Sequence, residues 1–215
     1  MYLTQSNTLA DVLRWEEENN YSREKVTIKS GQNLAVNTVI GKITKSTPTT
    51  GAAVEGNTGN GTCTSVTAGS KTKLGIYTLT ALSETSFAVK DPDGFALPNA
   101  TVGAAYTNEH INFTLNAGSP AFAEGDAFTI TVAAGSGQVT QIDFDAVDGS
   151  QDAYGITIAD YDATSAAVDG VAIVRNALIV TSDLVWPASP APSAEQKSAA
   201  LAQLENKGIV TVAEA

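Results

Sequence analysis

The sequence predicts a mainly β protein, in which a small α+β core with one C-terminal helix accompanies an all-β, sandwich-like region. Three observations support this fold class. Short segments with alternating apolar and polar residues recur through the middle of the chain, at roughly the 8–12-residue spacing of compact β sandwiches. Stretches rich in Gly, Pro, Asn and Thr separate those segments. The strongest helix signal lies near the C terminus.

The composition excludes several classes of function. The chain has 215 residues and a net charge of −11, from 12 Lys and Arg against 23 Asp and Glu. With 43% hydrophobic and only 16% charged residues, it is too apolar for intrinsic disorder and is expected to bury a packed core. Because an acidic chain offers no basic patch, we expect no binding to nucleic acid or to an anionic membrane surface. We also expect no signal peptide and no transmembrane helix.

The first segment carries a short helical pattern. Leu9, Val12 and Leu13 stand at helical spacing, and Thr8 is a suitable N-cap. A helix this short is marginal on its own. Two interpretations therefore remain open: a frayed terminal arm, or an arm that becomes ordered on a partner and is anchored there by Leu13 and Trp15.

Strand patterns begin after residue 24. Residues 26–28 and 39–43 read as two short strands joined by a polar turn, which fits a hairpin or the edge of a small barrel. A Gly-, Thr-, Asn- and Pro-rich stretch over residues 46–61 then indicates a boundary.

Beyond that boundary lies a regular series of predicted β segments. A tight turn at residues 91–94 separates two of them, because Pro92 presets φ and Gly94 accepts a left-handed conformation. A flexible Gly- and Ala-rich exit follows at residues 133–137. The predicted segments are residues 63–67, 74–82, 87–90, 101–107, 111–115 and 128–132.

The last part of the chain predicts mixed structure. Ser193 and Gln196 form a capping-box pattern at the start of a helix, and Ala200, Leu201 and Leu204 supply its apolar stripe. Further strands are predicted at residues 153–158, 171–174, 178–180 and 209–212.

Candidate catalytic and metal-binding residues are few. Asp143 and Asp145 superficially match positions 1 and 3 of a calcium loop, and Asp148 belongs to the same acidic cluster. Position 5 is Val147, however, Asp148 stands where the loop needs Gly, and Tyr154 stands where it needs Glu, so a solvated acidic turn is expected. The single histidine, His110, lacks an oriented nucleophile, and the single cysteine, Cys63, reads as a small core residue. A glycosidase-type pair of carboxylates stays open, since distance in space is not readable from sequence. The chain is therefore expected not to be an enzyme and to need no metal or cofactor.

Several stretches share residues and order with one protein family. They are residues 21–28, 30–34 and 38–43, then 148–149, 153–156, 171–175, 184–187 and 208–210 around the predicted helix. Together they resemble the head decoration, or capsid-cementing, proteins of tailed phages, the family of the phage lambda head decoration protein. Residues 47–137 depart from the short lambda-type pattern and resemble an extra β module of larger relatives.

The resemblance implies a division of the chain. Residues 1–23 would form an N-terminal capsid-binding arm, residues 24–46 and 138–215 a discontinuous decoration-protein core, and residues 47–137 an inserted β domain that faces solvent or the host surface.

The resemblance also implies a function. The protein would be a structural virion component, made in the host cytoplasm, that binds the outer surface of the expanded head as a homotrimer. There it would cement neighbouring major capsid subunits against internal DNA pressure. The candidate arm anchors are Leu9, Val12, Leu13 and Trp15, and the candidates for the trimer interface or core are Leu184, Trp186 and Pro187. Ordinary core packing is the alternative for Trp186.

A function of another class is a β-rich adhesin or tail-fibre module that binds host surface glycans. That alternative expects aromatic side chains exposed on the loops of the inserted block, such as Tyr106.

Overall fold

The computed structural model describes residues 7–212 and is mostly β. Within these residues the chain divides into two compact units. The first, which we call the core unit, takes in the chain up to Thr44 and again from Ser136; the second, the inserted unit, runs from Lys45 to Gly135. No helix in the described part of the chain is long and apolar enough to cross a bilayer.

The secondary structure consists of short strands and two helices. In chain order the elements are α1 (Leu9–Val12), β1 (Leu13–Glu16), β2 (Arg23–Ile28), β3 (Gln32–Leu34), β4 (Val39–Lys42), β5 (Ala52–Ala53), β6 (Thr62–Ala68), β7 (Gly75–Ser83), β8 (Ser86–Lys90), β9 (Ala96–Thr101), β10 (Ala105–Tyr106), β11 (Ile111–Asn116), β12 (Ala127–Val132), β13 (Val139–Gln141), β14 (Ala153–Thr157), β15 (Tyr161–Ala163), β16 (Val168–Ile173), β17 (Ala177–Val180), α2 (Ala194–Glu205) and β18 (Ile209–Val212).

A closed five-stranded barrel forms the centre of the core unit, in the order β13-β2-β16-β14-β4. Strand β13 closes it by pairing in parallel with β2 and antiparallel with β4. The two predicted strands at residues 26–28 and 39–43 therefore both belong to a small barrel, as one interpretation expected. The hairpin interpretation is wrong, because β13 lies between them.

A three-stranded sheet, in the order β1-β17-β18, accompanies the barrel. Strand β1 runs antiparallel to β17, whereas β18 runs parallel to it. Helix α2 packs Ala200 and Leu204 into the same apolar cluster as Ile179 and Ile209. The first and last strands of the described chain thus share one neighbour.

Helix α2 begins as the sequence predicts. Ser193 Oγ accepts a hydrogen bond from the Gln196 backbone N–H at 3.2 Å, and the Gln196 side chain accepts one from the Ser193 N–H at 2.8 Å. These two bonds satisfy backbone donors that the helix itself leaves free, so the predicted capping box is confirmed.

The inserted unit contains a five-stranded sheet, β5-β12-β7-β8-β9, and a three-stranded sheet, β10-β11-β6. Both sheets supply the same aromatic-rich core, in which the Phe87 and Phe122 rings meet edge to face at 5.0 Å. The predicted turn at residues 91–94 forms, with Gly94 at φ +85°. These features confirm a β-rich, sandwich-like region.

The sequence-based assignment fails around residues 96–107. Strand β9 was not among the predicted segments. It accommodates Pro98 because β9 is an edge strand, where a missing backbone N–H leaves no ladder bond broken. The predicted strand at 101–107 is interrupted by a turn with Gly103 at φ +81°, so that only Ala105–Tyr106 continues as β10.

A buried carboxylate joins two loops of the inserted unit. Asp126 is 4% exposed and accepts backbone N–H bonds from Ala123 at 3.0 Å, Thr58 at 2.7 Å and Gly59 at 2.8 Å. These hydrogen bonds, that from Ala123 first, hold the pKa of Asp126 below its usual value.

Candidate interaction surface

The N-terminal segment begins with a single helical turn. Both the backbone N–H and the hydroxyl of Thr8 donate to the Asp11 carboxylate, at 2.6 and 3.0 Å. The helix ends after Val12, and Leu13 is already extended, at φ −79° and ψ 116°. The predicted helix with Leu13 on its apolar face is therefore wrong at that residue, because pairing of β1 with β17 outweighs the weak propagation of so short a helix.

The segment is seated on its own chain. Val12 has 0% exposure and belongs to the apolar cluster of the core unit, while Leu13 is half-buried against that cluster. Leu9 is also half-buried, whereas Trp15 is 52% exposed. Residues 8–16 thus pack on the core unit of their own chain rather than fraying, and an arm anchored on a partner stays a prediction. In this conformation Val12 has no surface to offer a capsid, and Trp15 is the candidate anchor that does. Residues 1–6 of the predicted arm lie outside the described residues.

Trp15 has neighbours that the sequence did not single out. It lies opposite Leu178 across β1 and β17, and Leu178 lies opposite Val210 across β17 and β18. Leu178 is half-buried and Val210 is 53% exposed. Of these neighbours, only Val210 has a signal in the sequence. The two-residue alternation of residues 209–212 puts its side chain on the face opposite Ile209. Register between strands distant in sequence is what brings the three side chains together.

Asn37 connects the N-terminal segment to the loop before α2. Its side-chain N–H donates to the Thr8 carbonyl at 2.7 Å, its backbone N–H donates to Thr157 O at 3.0 Å, and its carbonyl accepts from the Val185 N–H at 2.9 Å. Asn37 is fully buried and adopts φ +66°, a left-handed conformation that Asn tolerates better than most residues. Among the described residues, its Oδ1 has no hydrogen-bond partner.

The residues before α2 have mixed environments. Leu184 is 7% exposed and lies in the apolar cluster of the core unit. Trp186 is half-buried, stacks on Phe144 with ring centroids 6.3 Å apart, and has the Lys197 ammonium 5.8 Å from its ring centroid. Pro187 lines an open groove of about 290 Å³. Leu184 is thus a core residue, while Trp186 and Pro187 keep part of their surface accessible.

A charged cluster connects three barrel strands, β2, β4 and β14. Glu24 on β2 pairs with Arg175 at 2.6 Å and accepts a short hydrogen bond from the Tyr154 hydroxyl. Lys42 donates to that hydroxyl at 3.1 Å, and Lys207 donates to the Ala153 carbonyl at 2.8 Å. The Tyr154 bond, followed by the nearby cations, lowers the pKa of Glu24, and burial lowers the pKa of Lys207. Each charged group of the cluster has an ion-pair or hydrogen-bond partner within it.

The other candidate groups have structural contacts. Asp143 accepts from the Asp145 N–H at 3.1 Å and Asp148 accepts from the Ser150 N–H at 2.9 Å, so two of these carboxylates stabilise turns. Within residues 7–212, no group of three His, Cys, Asp or Glu side chains is placed to hold a metal ion. Cys63 is buried, which raises the pKa of its thiol to about 11.

Tyr106 does not lie where the adhesin alternative expects it. Its side chain is only 8% exposed and stacks on Phe113 with ring centroids 4.6 Å apart. The expectation of a surface aromatic at this position is wrong, because β10 turns the ring into the core of the inserted unit.

Known proteins and structures were compared with the chain. No curated protein sequence matches it at a significant level. Solved structures that overlap it include two crystal forms of FlgL from Xanthomonas campestris, at 17% identity and TM-scores of 0.33 and 0.34, over 49% of this chain. The matched region is only 34% of the FlgL chain, and values this low indicate neither a shared fold nor a shared function. The family model of bacteriophage lambda head decoration protein D matches residues 2–209, and this protein therefore belongs to that head decoration family.

Proposed function

We propose that the protein binds the outer surface of an expanded phage head as a homotrimer and cements neighbouring major capsid subunits against the pressure of packaged DNA. The observation that carries this proposal is the match of residues 2–209 to a family of structural head proteins. The match runs through the sequence of both units, so the role is proposed for the whole chain.

Cementing needs contact area rather than chemistry. A trimer that spans a junction between capsid subunits adds attachment on both sides of it, and separating the subunits then requires breaking those contacts as well. Three weak attachments act together, and the overall affinity of the trimer can then exceed the affinity of a single site by about 10²–10⁴. Two parts of this proposal fall on accessible surface. One is a capsid contact at Trp15, and the other is a contact between copies of the trimer near Trp186 and Pro187.

The inserted unit is proposed to be an addition at one loop of the decoration core. The chain leaves and re-enters the core unit through paired backbone: the Ile43 N–H donates to the Gln138 carbonyl and the Gly137 N–H donates to the Ile43 carbonyl, both at 2.9 Å. Because these two ends already lie side by side, the core unit can close without the insertion. We propose that the inserted unit faces solvent or the host surface on the virion.

Three measurements test the proposal. Light scattering after size exclusion should give three times the chain mass of 22.1 kDa. Cosedimentation with expanded heads that lack their decoration protein should show saturable binding, and bound heads should withstand heating that opens bare heads. A monomer without affinity for such heads would exclude the proposed function.

A further inference from the structure

Strand β7 of the inserted unit carries apolar side chains on both of its faces. Its inward side chains belong to the core of the unit, where Leu79 is fully buried. On the outward face, Leu74, one residue before the strand, and Ile76 and Leu82 within it are 48%, 51% and 50% exposed. A sheet face that meets only water normally carries polar side chains. The outward face of β7 is therefore suited to contact with another molecule.

Neighbouring strands extend this surface across the five-stranded sheet β5-β12-β7-β8-β9. Thr78 lies opposite Thr129 on β12 and opposite Lys90 on β8. In the next row, Thr80 lies between two alanines, one on each of those strands. Lys90 is the one charged residue in the five strands. The outward side of this sheet, which we call the Thr78 face, thus combines small Thr and Ala side chains with the exposed aliphatic residues of β7.

The other sheet of the inserted unit has a different outward side. The side chain of Asn116 on β11 donates to the hydroxyls of Thr62 and Thr64 on β6, at 3.3 and 2.9 Å. The side chain of Asn112 likewise donates to the Thr67 hydroxyl at 3.4 Å. These polar side chains bond to one another across the strands, and no large hydrophobic residue of β6, β10 or β11 is classed as exposed. The exposed apolar surface of the inserted unit therefore lies with the five-stranded sheet and its turns.

The charges around the Thr78 face are self-complementary. Lys90 lies in the half of the sheet where β7 begins, whereas Glu84 and Glu124 are exposed at the end where β7 finishes. Among the described residues, none of these three side chains has an ion-pair partner. Turning a second copy by 180° about an axis across the strands brings the lysine of each copy toward the two glutamates of the other. The same rotation places the aliphatic start of β7 over its aliphatic end.

We propose that the Thr78 face binds the same face of a second copy of the chain, with the two sheets packed face to face about a two-fold axis. Five strands about 4.8 Å apart and the nine residues of β7, at about 3.3 Å each, give a face of roughly 500–700 Å². That area is close to the roughly 800 Å² that a specific interface takes from each partner. The net charge of −11 does not oppose this contact locally, because the sheet itself carries only a lysine.

This contact goes beyond the proposed function and does not depend on it. On a decorated head it would connect copies that belong to different trimers, while the Asn- and Thr-rich side of the inserted unit stays toward solvent. In solution it would add a second mode of association to whatever the core unit forms.

A matched pair of charged variants tests the contact in the full chain. Thr78→Arg places a cation at the centre of the Thr78 face, whereas Thr67→Arg places one on the outward side of the other sheet, and both residues are exposed. Each variant is checked for unchanged thermal unfolding, and sedimentation velocity then measures its mass over a range of concentrations. The mass of the unaltered protein and of Thr67→Arg should rise with concentration. Thr78→Arg should need at least about tenfold higher concentration for the same rise, because the rotation sets like charges close together.

Cross-linking identifies the face directly. Thr78→Cys and Thr67→Cys each add one accessible thiol, because the natural Cys63 is buried. A bismaleimide that spans the about 10 Å between packed sheets should convert Thr78→Cys, but not Thr67→Cys, into a species of twice 22.1 kDa on a denaturing gel.

Equal concentration dependence of the two Arg variants would overturn the inference, and so would a Thr78→Cys protein that does not cross-link. Both readouts are made without heads. A protein that associates through the Thr78 face but does not bind heads would therefore contradict the proposed function alone.

Discussion

Truncation of Val12 tests whether the N-terminal segment is part of the folded core. Val12→Ala removes two methyl groups from a site with 0% exposure. At about 0.8 kcal/mol for each buried carbon, the lost transfer free energy is about 1.6 kcal/mol, and the cavity left behind adds up to about 1 kcal/mol. The free energy of unfolding should therefore fall by about 2 kcal/mol, a large part of the 5–15 kcal/mol typical of domains.

The matched control is the same substitution at an exposed site. Val210→Ala alters a side chain that is 53% exposed, so it should cost less than about 1 kcal/mol, mostly through strand propensity. Both variants are compared by urea denaturation, followed by far-UV circular dichroism. If Val12→Ala costs no more than Val210→Ala, the segment is not held by the core, and an arm ordered only on a partner becomes the better description.

Three further predictions concern other parts of the chain. Asn37→Gly keeps the left-handed backbone but removes a fully buried side chain and its bond to Thr8, so trypsin should cleave after Arg14 faster and the unfolding temperature should fall. The pKa of Asp126 is lowered in the folded state, so its contribution to stability is complete above the ordinary aspartate pKa and is lost as the pH falls through the folded pKa. Asn does not titrate, so Asp126→Asn should lose less stability over that acid range than the unaltered protein does. Thermal melts at a series of pH values measure the difference. Replacing residues 47–137 by a short linker should leave a core unit with cooperative unfolding, and a non-cooperative transition would contradict the division proposed from the sequence.

Local signals predicted the elements whose determinants lie within a few residues. The capping box at Ser193 and Gln196 fixed the start of α2, and the Pro92–Gly94 turn formed as expected because its backbone angles depend on those residues alone. The alternating strands of the inserted unit were also predictable, since a two-residue period suits a sheet with one buried face.

Elements that depend on distant partners were not predictable in the same way. Leu13 fits a helix by its spacing, but it became a strand because β17 lies within reach only in the folded chain. Strand β9 tolerates Pro98 only because it is at a sheet edge, a fact of topology. Trp15 lies in register with Leu178 and Val210, which come from the other end of the sequence, so no local period in the sequence connects the three residues.

The position of β17 between the first and the last strands has a consequence for synthesis on the ribosome. Strand β1 is complete at Glu16, but its partner does not begin until Ala177. At about 5–20 residues per second, roughly 10–30 s pass between them. During that time Val12 and Trp15 are without their sheet, while the inserted unit, being contiguous in sequence, can already fold. The nascent chain thus exposes its N-terminal apolar residues longest, and a chaperone that acts on this protein would meet them first.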